Sequence, residues 1–417
     1  MNNSVICDQL MVYFCNYNLI DPNQFGFLPG RSCTLQLLRC LDDWTSSLDI
    51  GIPTDVILVD YAKAFDSVSH TKLCHKLTCL GVGGNVHRWI SDFLSGRSQY
   101  VRVNSEISEL EPVASGVIQG SVIGPVLFTL FISDLQTNET LAVMPKFADD
   151  VDLYRSICGV DDHIKLASAL EYLENWSNDW QLPIAAQKCN VFHIGRADML
   201  FNYSLLGNTL NTVSLTKSLG VWMSNDLKSS SHCDHIVKTA RQRASMIKRC
   251  FTSNDRNTLF WAFCVYVRPI LEYASPVWSP YLIKDIDHVE SVQRSFTKHL
   301  PGFHNKVYSE RLKLLSTDSL EVRRLRFDLT LCFRLLHGLC DFDFNRFFEI
   351  RGSSQTRGHS LKLVVQPALR DCRKFFFANR VVKVWNALPE NLVMATTLYI
   401  FKRNLKTINL SKFVRWA

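Results

Sequence analysis

Residues 143–154 read Val-Met-Pro-Lys-Phe-Ala-Asp-Asp-Val-Asp-Leu-Tyr, two adjacent carboxylates between two short apolar runs. Phe147 before the pair and Val151 and Leu153 after it alternate with polar neighbours. That period predicts a strand, a tight turn holding Asp149 and Asp150, and a second strand. Alone the pair says little, because Asp42-Asp43 and Asp161-Asp162 are the same dipeptide where only a solvated turn is indicated. The upstream residues 55–66, Asp-Val-Ile-Leu-Val-Asp-Tyr-Ala-Lys-Ala-Phe-Asp, carry an apolar run from Val56 to Val59 that stops at Asp60. This is the pattern of a buried strand ending in a carboxylate.

Laid beside the hairpin, that strand brings Asp60 to Asp149 and Asp150. Three converging carboxylates repel one another and call for cations. Oxygen ligands of this kind suit Mg2+, and two such ions about 3.5 to 4 Å apart support in-line displacement at phosphorus. The acidic cluster therefore points to nucleotidyl transfer.

With these residues placed, the chain resembles the reverse transcriptases of non-LTR (LINE-type, jockey- or CR1-like) retrotransposons. The blocks that carry the resemblance come in family order. They are Gln24-Phe25-Gly26-Phe27-Leu28-Pro29-Gly30-Arg31-Ser32, Leu58 to Val68 around Asp60, Ser115 to Pro125 around Gln119-Gly120, and Phe147-Ala148-Asp149-Asp150. Trp180-Gln181-Leu182-Pro183, Lys188-Cys189 and Leu219-Gly220-Val221 follow, and weaker likeness continues to Val384-Trp385-Asn386-Ala387-Leu388-Pro389.

The resemblance implies an α+β right-hand polymerase. Its parts would be partial fingers (1–54), a palm with an antiparallel sheet and helices of the split β-α-β type (55–225), a helical thumb (226–302), a helical extension (303–351) and a basic, aromatic C-terminal region (352–417). The implied activity is RNA-directed DNA synthesis, with RNA template, DNA primer or target and deoxynucleotides as partners. By resemblance, Asp60, Tyr61, Asp149 and Asp150 hold two Mg2+, with Mn2+ a possible substitute. Lys188 neutralises or protonates the leaving pyrophosphate. Arg31, Phe65, Gln119 and Gly120 contact template or incoming nucleotide, Phe65 excluding a 2′-hydroxyl. The Leu219-Gly220-Val221 hairpin grips the primer.

Two departures from the family, Ile118 for a proline before Gln119 and Ala185-Ala186 for an asparagine-containing pair, remove no metal ligand. The chain begins after the endonuclease and the first part of the fingers that relatives carry, and no zinc knuckle closes it. On that ground a truncated, catalytically inactive remnant that only binds nucleic acid is the alternative. A scaffold without a nucleic-acid role has only ordinary helical patterning in its favour. A viral RNA-dependent RNA polymerase shares the acidic cluster, but Phe147-Ala148 and Phe65 favour the reverse transcriptase.

At 417 residues with 47% hydrophobic content the chain is long enough for two or three domains. Its 14 cysteines contain no C-x-x-C pair, which argues against a zinc ribbon or disulfide framework and for reduced thiols in cytoplasm or nucleus. His232, Cys233 and His235 lack a second ligand cluster and are not read as a metal site. No secretion signal is evident. Val113 to Ile132 is uncharged over a bilayer-spanning length, yet its glycines and Gln119 fit a buried turn and helix start, not lipid. The charge is unevenly divided: −10 over residues 1–200 and +17 over 201–417, within the total of +7. An acidic, cation-binding half and a basic, phosphate-binding half are expected.

In chain order, helices are predicted over 3–20, from Thr34 to Trp44, within 70–95, from Pro125 to Leu135 and from Ile164 to Trp180. Tyr100–Val103 and Glu111–Ala114 should flank a turn as strands, and Asp66 should brace the turn after Asp60 through nearby backbone donors. From His232 to Pro301 the pattern is helical and basic, and Lys238, Arg241, Arg243, Lys248 and Arg249 are expected to face nucleic acid. Two helices are expected within Tyr308–Leu339. Gly352–Gly358 should be a mobile loop. Phe375, Phe376, Phe377, Arg380, Lys383 and Trp385 could stack on single strands, but a small core is the favoured reading.

Overall fold

The computed structural model describes residues 3–195, 201–352 and 358–416, so the centre of the Gly352–Gly358 loop lies outside the described residues. The chain divides into two compact units, one of Met1–Gln36 with Ile52–Val213 and the other of Leu37–Gly51 with Ser214–Ala417. Their mixture of helices with a largely antiparallel sheet is the α+β class expected.

The first unit is built on the Thr54–Val59 strand, whose run of Val56, Ile57 and Val59 is buried. This strand is the centre of a five-stranded sheet. On one side it pairs antiparallel with Asp150–Ser156, which pairs in turn with Lys146–Phe147. On the other it pairs antiparallel with Asn190–Ile194, beyond which Asn211–Val213 adds a parallel edge. The Val160–Trp180 helix sends Leu166, Leu170 and Leu173 into the same core as Ile57 and Val59, as the spacing of its leucines requires.

Two predicted helices are shorter than expected. The first, Asn3–Asn16, ends before Pro22. The Gly124–Phe131 helix has Pro125 in its first turn and stops four residues early; just beyond its end, the Ser133 hydroxyl donates to the Leu130 carbonyl and competes with continued helix. At eight residues it is far short of a span, and among the described residues no helix is long and apolar enough to cross a membrane. Between Ser98 and Pro112 one exposed hairpin forms two nested ladders, Ser98–Gln99 with Glu111–Pro112 outside and Arg102–Val103 with Glu106–Ile107 at its tip.

The second unit opens with the Leu215–Ser218 and Val221–Ser224 hairpin. Its two-residue turn has Leu219 and Gly220 both at positive φ, 44° and 85°, and the Tyr273 hydroxyl donates to the Leu219 carbonyl at 3.0 Å. Helices follow at Ser230–Cys250, Arg256–Tyr266, Ile283–Lys298, Tyr308–Leu314 and Leu320–Leu336. Phe376, Phe377 and Trp385 are buried, and Arg380 makes a two-pronged ion pair with buried Asp328 at 2.9 Å. The core reading of that aromatic segment stands.

Residues 37–49, most of the Cys33–Asp49 helix, also belong here. Asp42 pairs with Arg373 at 2.7 Å, Asp43 pairs with Arg346, and Asp49 accepts the backbone N–H groups of Leu369 and Arg370. The Asp42-Asp43 dipeptide is thus an anchor, not a solvated turn. All fourteen cysteines are free thiols.

Candidate active site

The hairpin forms with a shorter turn than its sequence suggests. Phe147 pairs with Asp150, so the loop is Ala148-Asp149 and Asp150 is already the first residue of its strand. Ala148 holds a left-handed backbone, φ 56°. A non-glycine residue there costs roughly 1 to 3 kcal/mol and persists only where surroundings enforce it.

The enforcing residues are those of the Gln24-Phe25-Gly26 block. Gln24 Oε1 accepts the N–H groups of Gly26 at 2.7 Å and Ala148 at 3.0 Å, while the Phe25 N–H donates to the Lys146 carbonyl at 2.7 Å and the Lys146 N–H donates to the Asn23 carbonyl at 2.8 Å. Gly26 lies so close that a Cβ would meet the Ala148 nitrogen at 2.5 Å. Underneath, buried Lys146 pairs with buried Asp21. The block thus packs against the carboxylate turn from behind.

Asp60 follows the last residue of its strand, and Val59 pairs with Val151. Extending that register by one residue sets Asp60 level with Asp150. The carboxylates feel one another. Burial pushes Asp150 up to about 6, with the charges of Asp149 and then Asp60 adding to the rise. Asp149 is raised first by burial and further by Asp60, against a lowering from its own backbone N–H. Lys188, in the short turn Ala186–Lys188, reaches Asp60 with Nζ to Oδ1 at 3.5 Å. Backbone bonding from Ala185 N–H to the Asp60 carbonyl, 2.8 Å, holds that turn in place.

The other candidates fall into two groups. Phe65 stacks on Phe128, centroids 4.2 Å apart and planes at 12°, with Phe27 edge-on at 6.0 Å. Gln119, exposed beside Gly120 (φ 80°), donates its amide to Asp66 Oδ1 at 2.9 Å, so Asp66 braces across the chain instead of locally. Arg31 donates to the carbonyls of Pro22 and Gln24 at 2.7 and 2.6 Å and shapes its own loop. The Tyr61 ring is buried and its hydroxyl meets no partner, which leaves only the main chain of that residue to offer a ligand.

In the second unit Lys238, Arg241, Arg243, Lys248 and Arg249 are all exposed on the Ser230–Cys250 helix. Helical spacing gathers Lys238, Arg241, Lys248 and Arg249 on one face and sets Arg243 aside. His232, Cys233 and His235 are structural: His232 lies against Trp278, His235 stacks on Trp222, and the Cys233 thiol is buried and pushed up to about 12, chiefly by that burial.

Among the described residues no group of three or more His, Cys, Asp or Glu stands close enough to hold a metal ion. The donor set nevertheless fits Mg2+: it is all carboxylate oxygen, and the rise of Asp149 and Asp150, set first by burial and increased by the neighbouring carboxylates, is one that a bound cation would reverse.

The central strand thus runs into one carboxylate, Asp60, beside a hairpin that carries two, Asp149 and Asp150. The chain belongs to the family described as reverse transcriptase (RNA-dependent DNA polymerase), which matches residues 2–231. It is 25% identical over 293 residues to the RNA-directed DNA polymerase from mobile element jockey of Drosophila melanogaster, a match covering 67% of this chain and 32% of that protein. The probable RNA-directed DNA polymerase from transposon X-element of the same species is 27% identical over 290 residues, covering 67% and 32%. The chain thus spans about a third of the length of these relatives. A structure of telomerase from Candida tropicalis aligns over 97% of this chain and 56% of its own, with TM-score 0.42 and 10% identity, a likeness too remote to argue from.

Proposed function

We propose that the chain is the polymerase segment of a non-LTR retrotransposon protein, an RNA-directed DNA polymerase that adds deoxynucleotides to a primer 3′-hydroxyl. The observation that carries this reading is the strand register, which lines up Asp60 with the Asp149-Asp150 turn and leaves Lys188 beside them. In this reading the sheet-bearing unit supplies the palm and the helices of the second unit the thumb.

Asp60, Asp149 and Asp150 would hold Mg2+, with the Tyr61 main chain as a further ligand. When bound, Mg2+ supplies activation of the attacking hydroxyl and charge neutralisation at the leaving oxygen. The chain's own groups do the rest. Lys188 places a cation where the pyrophosphate charge develops and can donate a proton to it. Phe65, stiffened by its stack on Phe128, forms a fixed platform under the incoming sugar. Gln119, held by Asp66, presents the Gly120 turn to the nascent pair.

The test is extension of a DNA primer on an RNA template with Mg2+ and deoxynucleotides, beside a variant carrying Asp149→Asn and Asp150→Asn. Incorporation by the parent and a loss of roughly a thousandfold in the variant are expected, several kcal/mol of transition-state stabilisation. Undiminished extension by the variant would sink the proposal. Template binding with no incorporation by the parent would leave a nucleic-acid-binding remnant.

A further inference from the structure

Within the second unit, between the Arg256–Tyr266, Leu320–Leu336 and Leu398–Leu405 helices, lies a cavity of about 680 Å³. Its polar lining is cationic: Arg268, Arg323, Arg326, Lys402 and Lys406 against the single carboxylate of Asp318. Glu272 also engages Arg323 and Arg268, at 3.0 and 3.8 Å, and Asp318 engages Arg326. Two carboxylates against five cations leave an excess of three positive charges. Among the described residues no carboxylate pairs with the exposed Lys402 or Lys406. Arg326 adds a second observation: Nη2 is spent on the Lys406 carbonyl at 3.2 Å, while its buried Nε has no partner.

The volume falls in the range of ligand-sized sites and is too large for one inorganic anion. Lys402 and Lys406 stand one helical turn apart, about 6 Å, a spacing that successive backbone phosphates can meet. Phe327 is exposed on the rim, with the Arg323 guanidinium 5.8 Å from its ring, and offers a face on which a base can stack. We infer that this cavity binds the phosphodiester backbone of a single-stranded nucleic acid. It lies outside residues 2–231 and uses none of the basic residues of the Ser230–Cys250 helix, so it does not depend on the polymerase reading.

The experiment is fluorescence anisotropy of a short labelled single-stranded RNA with the full chain across a salt series. Replacing both lysines, Lys402→Gln with Lys406→Gln, should weaken binding about tenfold at moderate salt. The dependence of log affinity on log salt should flatten by about 1.4, the value for two lost phosphate contacts on a single strand. Lys402→Arg with Lys406→Arg should restore both readouts. Phe327→Ala should weaken binding a few-fold with the salt slope unchanged. Wild-type affinity and slope in the Gln pair would overturn the inference. So would loss of binding to phosphatidylserine vesicles with RNA binding intact, which would make the cavity a lipid site.

Discussion

His232 carries a pH dependence that can be read from its surroundings. Its ring is buried against Trp278, Nδ1 accepts the Trp222 backbone N–H at 3.1 Å, and Nε2 meets no partner. Burial, with His235 and Lys217 nearby, lowers it from 6.5 to about 4. Between those values the unfolded chain binds a proton that the folded ring refuses, so stability falls as pH drops through that window. The loss reaches about 3 kcal/mol at its lower end. Urea midpoints followed by tryptophan fluorescence between pH 7 and 4 should show this decline in the second unit, and His232→Gln should flatten it. An identical slope in the variant would assign the acid sensitivity elsewhere.

The carboxylate hairpin is an element held from behind. Gly26→Ala should force the Gln24-Phe25-Gly26 block off the turn, costing about 1 to 3 kcal/mol by overpacking and lowering primer extension more than stability alone explains. Comparing the denaturation midpoint with extension at a temperature where the variant stays folded checks this. Asp21→Ala strands the Lys146 ammonium in the core and should cost about 3 to 5 kcal/mol, whereas Asp21→Leu with Lys146→Met should come out near neutral. A mild single variant would show the pair to be dispensable. At this scale the sequence was informative where the pattern was long. Leu166, Leu170 and Leu173 announced their helix, and the apolar run stopping at Asp60 announced its strand. The turn was misplaced by one residue because its geometry depends on Gln24, more than a hundred positions away. The brace by Arg31 was invisible because its partners are main-chain carbonyls, which every residue possesses.

Across the whole molecule, the charge division was legible by counting and the allegiance of residues 37–51 was not. Nothing in the composition of Asp42, Asp43 and Asp49 distinguishes a solvated helix end from one tied to Arg373, Arg346 and Leu369. That allegiance constrains how the protein can be made. Asp42 leaves the ribosome 331 residues before the Arg373 that it pairs with, so the second unit cannot close until nearly all of the described chain has been synthesised. A fragment cut at the apparent boundary, 214–417, should lack cooperative unfolding by circular dichroism. Adding a synthetic peptide of residues 37–51 should restore it. The second unit thus waits on a segment delivered 331 residues ahead of its partner, and termination before Arg373 yields no finished second unit.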